Sequence, residues 1–149
     1  MPARRRIDLA QGAQAVRAWA GAVSANRETA SAAAVAEVAT ATAAAHPGAL
    51  ARLDRTTVAT AVRFTLEELA ACAPGRSVEV RVPPYGVTQA VAGTVHRRGT
   101  PPSVVETDAD TWLALATGRL AWAEALERGC LDASGERCDL SAYLPLLRV

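Results

Sequence analysis

Lysine is absent from this chain, and all 16 of its basic residues are arginine. Isoleucine and asparagine occur once each, as Ile7 and Asn26, while alanine and valine abound. That skew is the imprint of GC-rich codons and points to a high-GC bacterium. Histidine is nearly absent too, with only His46 and His96, both in turn-forming stretches. A catalytic triad needs an imidazole poised between a nucleophile and a carboxylate, and no G-x-S-x-G elbow is present. Two isolated histidines and scattered cysteines also lack the spacing of a metal site, so neither a metal nor a cofactor is expected. The three cysteines, Cys72, Cys130 and Cys138, are odd in number and form no C-x-x-C pair. They read as reduced cytosolic thiols that fill space, since no activating histidine lies near them in sequence.

Other absences bound the partners. No apolar run of eighteen residues free of charge occurs, so no membrane-spanning helix is expected. The early Arg4-Arg5-Arg6 is followed by "IDLAQGAQAV", which is too polar for the apolar core of an export signal. The expected location is therefore the cytoplasm. A formal charge of +1, with no long basic face, argues against nucleic acid. At 149 residues and 50% hydrophobic composition, a single soluble domain is expected.

The first half reads as helical. Asp8 can cap a helix carrying Val16, Trp19 or Ala20, and Val23 on one side. "RETASAAAVAEVATATAAA" reads as a second helix stopped by "HPG" at 46–48, resting on alanine propensity because Val35 and Val38 are its only branched grips. Asp54 caps a third, "RTTVATAVRFTLEELAACA", whose Val58, Val62, Thr65, Leu66 and Leu69 recur at helical spacing before Pro74-Gly75.

The period then changes from 3.6 to 2. In "SVEVRV", Val78, Val80 and Val82 alternate with Ser77, Glu79 and Arg81, which predicts a strand with one wet face. "VTQAVAGTV" and "SVVET" supply two more strands. Their short connections predict an antiparallel meander. Thr107 or Asp108 then caps a helix with Trp112, Leu115 and Ala116 on its apolar side, ended by Gly118 in the left-handed conformation. "RLAWAEALER" is a second short helix, placing Trp122 and Leu126 one turn apart and ending at Gly129. A last strand near Ala133, a turn at Ser134-Gly135 and a helical piece capped by Asp139 complete the order. Sequential blocks of helices and strands indicate α+β.

The run "VVETDADTWLALATGRLAWAEALERGCLDASGERCDLSAYLPLL" (104–147) resembles the C-terminal signature of the sterol carrier protein family, with its acidic helix start, small-Gly corner, second helix and closing acid-capped helix. "RSVEVRVPPYGVTQAVAGTVHRRGTPPSVVETD" resembles the actinobacterial branch of that family in particular. The resemblance covers roughly 54–147 and leaves an Ala-rich helical segment, 1–48, outside it. It implies an antiparallel or mixed sheet of about five strands covered by helices, with an apolar tunnel between the layers for a fatty acyl chain or a sterol. Members of this kind bind and carry lipid without catalysis. Trp112, Leu115, Trp122 and Leu126 from the helix pair, with Val80 and Val91 from the sheet, are the residues this reading places against the ligand. The alternative for the tryptophans is plain core packing. His96, Arg97 and Arg98 form a small basic turn that suits an anionic headgroup or simply a solvated strand end. The thiol-dependent maleylpyruvate isomerases carry a similar C-terminal domain beside a three-histidine metal domain. That histidine set is missing here, which makes an accessory or protein-interaction module with a filled core the competing reading.

Overall fold

The structure is a computed structural model and describes residues 6–34, 53–93 and 103–149. It begins with α1 (Leu9–Ala34), started by Asp8, whose Oδ1 accepts the amides of Ala10 at 3.0 Å and Gln11 at 3.1 Å. The expected break between a first and a second helix does not occur at Arg27. "VSANRETAS" holds neither proline nor glycine, so nothing interrupts the backbone ladder there. The remainder of the expected second helix, with its stop at 46–48, lies outside the described residues.

Gly12, Ala15, Val16, Trp19 and Ala20 share one face of α1, and all but Gly12 belong to the buried apolar core. This face packs on α2 (Arg55–Cys72). The two axes come close because Gly12 has no side chain: a Cβ there would lie 2.2 Å from the Phe64 ring. Asp54 caps α2 as expected, accepting from the amides of Thr56 at 2.7 Å and Thr57 at 3.3 Å. These bonds hold its carboxyl below the usual Asp range. The buried stripe of α2 is the one read from its periodicity, with Ala61 and Phe64 added where α1 covers it.

Among the described residues four strands, against the about five expected, form one sheet in the order β2-β1-β3-β4: β1 (Val78–Val82), β2 (Gly86–Ala90), β3 (Ser103–Thr107) and β4 (Leu131–Ser134). The expected meander is corrected in one respect. β3 pairs with β1, in parallel, and not with β2. The hairpin explains why no crossover helix is needed. β2 has already returned the chain to the Val78 end of β1, and β3 has only to start two strand spacings away, about 10 Å. β2 also ends earlier than expected, because Val91 turns out of the strand with φ of 65°.

Val78, Val80, Val82 and Val105 form the dry face of the sheet and join the same core as α2 and α3. On the wet face Arg81 lies 2.6 Å from Glu79 and 3.8 Å from Glu106, its partner across the parallel pair. After β3, Asp108 caps α3 (Ala109–Ala116) through the Thr111 amide at 2.9 Å. Gly118 then closes the corner at φ of 76°. The next helix, α4 (Trp122–Glu127), is shorter than its periodicity suggests. The amides of Arg119 and Leu120 both turn back to Ala114 O, which uses these residues to finish α3 instead of starting α4. The closing piece capped by Asp139 is a single 3-10 turn, Ser141–Tyr143. Beyond it Leu146 and Leu147 donate their amides to Ala116 O, at 2.8 and 3.1 Å.

A polar contact fastens α1 to the domain body. Trp19, 1% exposed, donates its indole N–H to Asp110 Oδ1 at 2.7 Å, and the Arg119 guanidinium lies 5.9 Å from the centre of the same ring. Burial, opposed by the Trp19 bond and aided by Asp108, raises the Asp110 pKa above the ordinary 3.8.

Two outcomes follow from this packing. Gly12→Ala improves helix propensity by about 1 kcal/mol but drives a methyl group into Phe64, and overpacking of that kind costs about 1–3 kcal/mol. Its thermal midpoint should fall below that of the parent, and an unchanged or higher midpoint would refute the close-approach account. Asp110 binds its proton more tightly folded than unfolded. Its contribution to stability is therefore fully present below 3.8 and is lost as pH rises through the raised folded value. Asp110→Asn keeps an acceptor for Trp19 and removes the buried charge. Denaturant titrations should find it more stable than the parent at pH 7, with the difference shrinking in acid; a pH-independent difference would contradict the assignment.

Candidate functional site

The interior between helices and sheet is assembled from residues distant in sequence. α2 presents Val58, Val62, Thr65, Leu66 and Leu69; α3 presents Trp112, Leu113, Leu115 and Ala116; the sheet presents its valine face. Within this apolar layer the one indole of α3 carries an N–H that requires an acceptor. Trp112 is 0% exposed, and its Nε1 donates to Thr65 Oγ1 at 2.8 Å. The Thr65 hydroxyl in turn shares its proton between the carbonyls of Ala61 and Val62, both at 2.9 Å. Every polar atom of the pair is thereby satisfied without water.

The six residues expected to face a ligand divide into three places. Val80, Trp112 and Leu115 meet in the apolar layer, each at most 1% exposed. Val91 is buried at the joint between α2 and the sheet. Its amide donates to Ala73 O at 2.7 Å, and its carbonyl accepts from Ser77 N at 3.1 Å and Ser77 Oγ at 2.7 Å. Gly75 comes so near this carbonyl that a Cβ on it would lie 2.0 Å from the oxygen. Trp122 and Leu126 are peripheral: Trp122 is half-buried against the core, and Leu126 is 45% exposed. The basic turn His96-Arg97-Arg98 and His46 lie outside the described residues.

One further concavity opens on the other side of α2. A surface groove of about 430 Å³ runs between the outward face of the helix (Arg55, Thr56, Ala59, Thr60, Arg63) and Pro84 and Tyr85 of the β1–β2 turn. Arg63 Nε donates to Tyr85 O at 2.9 Å, which ties the turn to the helix. Gly86 sits beneath, where a Cβ would lie 3.1 Å from Leu66 Cδ1. The groove escaped the sequence reading. Its arginines are exposed residues flanking the buried stripe of α2, where a solvated surface is the ordinary expectation, and only the turn after β1 makes that surface concave.

Among the described residues no three His, Cys, Asp or Glu side chains come together as a metal group. No described helix is long and apolar enough to cross a membrane. The three cysteines are free thiols, and partial burial together with the nearby Glu68 charge raises Cys72, which keeps it protonated and a poor nucleophile.

No curated protein matches the chain. A family model does: the one described as bacterial SCP ortholog matches residues 54–146, from the cap of α2 through the sheet and the α3–α4 corner to the closing turn. The match takes in more than half of the chain and contains the whole apolar layer. On that match, and on the α+β fold with a mixed sheet found over the same residues, the chain belongs to the bacterial SCP ortholog family.

Proposed function

We propose that this protein is a non-enzymatic carrier that binds a lipid, fatty acyl chain or sterol-like molecule in the cytoplasm. The observation that carries the reading is the coincidence of the family match with the apolar layer, in which the valine face of the sheet meets Trp112 and Leu115 of α3. Apolar walls with very few fixed polar groups suit a hydrocarbon ligand, because such a ligand has nothing to pair with a buried donor. Val80, Trp112 and Leu115 are the inner contacts of this proposal. Trp122 and Leu126, nearer the surface, would meet the ligand at the rim, and Val91 bounds the layer beside the end of α2. The free thiols support the cytoplasmic part.

A second reading is favoured by one contact. Trp112 is wholly enclosed and its N–H is satisfied by Thr65, as in an ordinary filled core. In that case the domain is an accessory or protein-interaction module, akin to the C-terminal domain of the thiol-dependent maleylpyruvate isomerases.

Quenching of tryptophan fluorescence separates the two. In a Trp19→Phe background, a long-chain fatty acid carrying a quencher should reduce emission saturably at low micromolar concentration, an affinity of about −8 kcal/mol. Trp112→Phe and Trp122→Phe should each remove part of the effect and leave the protein folded, because phenylalanine retains most of the apolar volume. A folded protein that shows no saturable quenching with any acyl chain or sterol would refute the carrier reading and leave the filled-core module.

A further inference from the structure

We infer that the groove between α2 and the β1–β2 turn holds the anionic end of the bound acyl molecule, a carboxylate or a phosphate, on Arg55 and Arg63. The inference rests on the lipid-binding reading and supplies the polar half that the apolar layer lacks. A hydrocarbon chain buried among Val80, Trp112 and Leu115 meets no charged partner there, so an anionic headgroup must be held elsewhere or remain in water.

The groove has the required position. The helix that forms its wall carries Arg55 in line with Val62 and Leu66 and Arg63 about a quarter-turn further round, so the polar groove borders the apolar stripe of the same element. Beside the middle of that helix stands Tyr85, half-buried against the core and lining the groove as well.

The groove also has the required charge. Arg55 and Arg63 are eight residues apart on one face, about 12 Å along the axis. Neither has a described carboxylate within ion-pairing distance. The nearest acid in sequence, Asp54, turns its carboxylate into the helix, onto the amides of Thr56 and Thr57 and the Thr57 hydroxyl. The Thr60 hydroxyl is likewise spent, donating to Thr56 O at 2.8 Å. The guanidinium groups are what remain for a ligand. Arg63 is oriented by its Nε bond to Tyr85 O, and its terminal nitrogens have no described partner. A guanidinium held in place in this way presents paired donors to a carboxylate or phosphate.

Calorimetric titration of the full chain with dodecanoate, dodecyl phosphate and methyl dodecanoate at low ionic strength tests this. At least one of the two anions should bind about tenfold more tightly than the uncharged ester, and the preference should shrink as salt is added. Whichever anion binds more tightly identifies the headgroup. Arg55→Ala should remove most of the preference and leave the ester's affinity and the thermal midpoint unchanged, since Arg55 has no described bond to lose. Arg63→Ala should act in the same direction, with some loss of stability from the broken Tyr85 contact. Equal affinity of acid and ester in the parent protein, or a preference that survives loss of both arginines, overturns the groove assignment alone. If none of the three compounds binds, the groove assignment fails, whereas the carrier reading falls only if longer acyl chains and sterols also fail to bind.

Discussion

The structure depends on α2, and α2 is held by a constraint that hydrophobicity alone does not impose: a fully enclosed indole must place its N–H. Trp112 meets that requirement on Thr65, whose hydroxyl is already bonded to the carbonyls one turn back in its own helix. A bond of this kind is worth about 1 kcal/mol net, but an unpaired buried donor costs about 1–3 kcal/mol. The asymmetry favours the rotation of α3 relative to α2 that brings the two side chains together. With that register set, the opposite side of α2's stripe is free to receive α1 through Phe64 and Gly12. The outer face is left to the arginines.

A second joint ties the same helix to the sheet. Val91 occupies the left-handed region, where a β-branched residue is strained, and it is kept there by three hydrogen bonds and by the close approach of Gly75. The turn that results redirects the chain at the end of β2, at the end of the sheet from which β3 then starts beside β1. Val91 thus ends β2 at the same end of the sheet from which β3 starts.

The family match begins at the cap of α2, yet the buried core does not. Ala15, Val16, Trp19 and Ala20 of α1 are as deeply buried as the residues inside the match, and the Trp19 indole reaches Asp110 in the first turn of α3. In this chain the helix that precedes the family's own boundary covers a surface of α2 that would otherwise expose Phe64 and Ala61. It adds a layer outside the sheet-facing side of α2, so it leaves the relation between the apolar layer and the Arg55–Arg63 groove untouched.

Local rules account for what was legible in the sequence. Asp8 and Asp54 could be named as caps, and Asp108 as one of two candidates with Thr107, because an N-cap depends on the residue itself and on amides two and three positions on. Gly118 and Gly129 could be named as helix ends because a positive φ is a property of a single residue. The valine alternation of β1 and the buried stripe of α2 were visible because periods of 2 and 3.6 are written along the chain, and the motifs from 104 to 147 carried the family. Everything that required two distant segments to meet was decided by tertiary structure. Composition and alternation do not say that β3 pairs with β1 in parallel, since either neighbour presents the same dry face. Thr65 reads as one more small residue of an apolar stripe until Trp112, 47 positions away, needs an acceptor. Leu126, read as a ligand contact from its spacing to Trp122, is left half in solvent because Arg119 and Leu120 are used to end α3 and α4 is only six residues long. Arg55 and Arg63 acquire a groove only when the β1–β2 turn folds against α2, a long-range contact that no local pattern encodes.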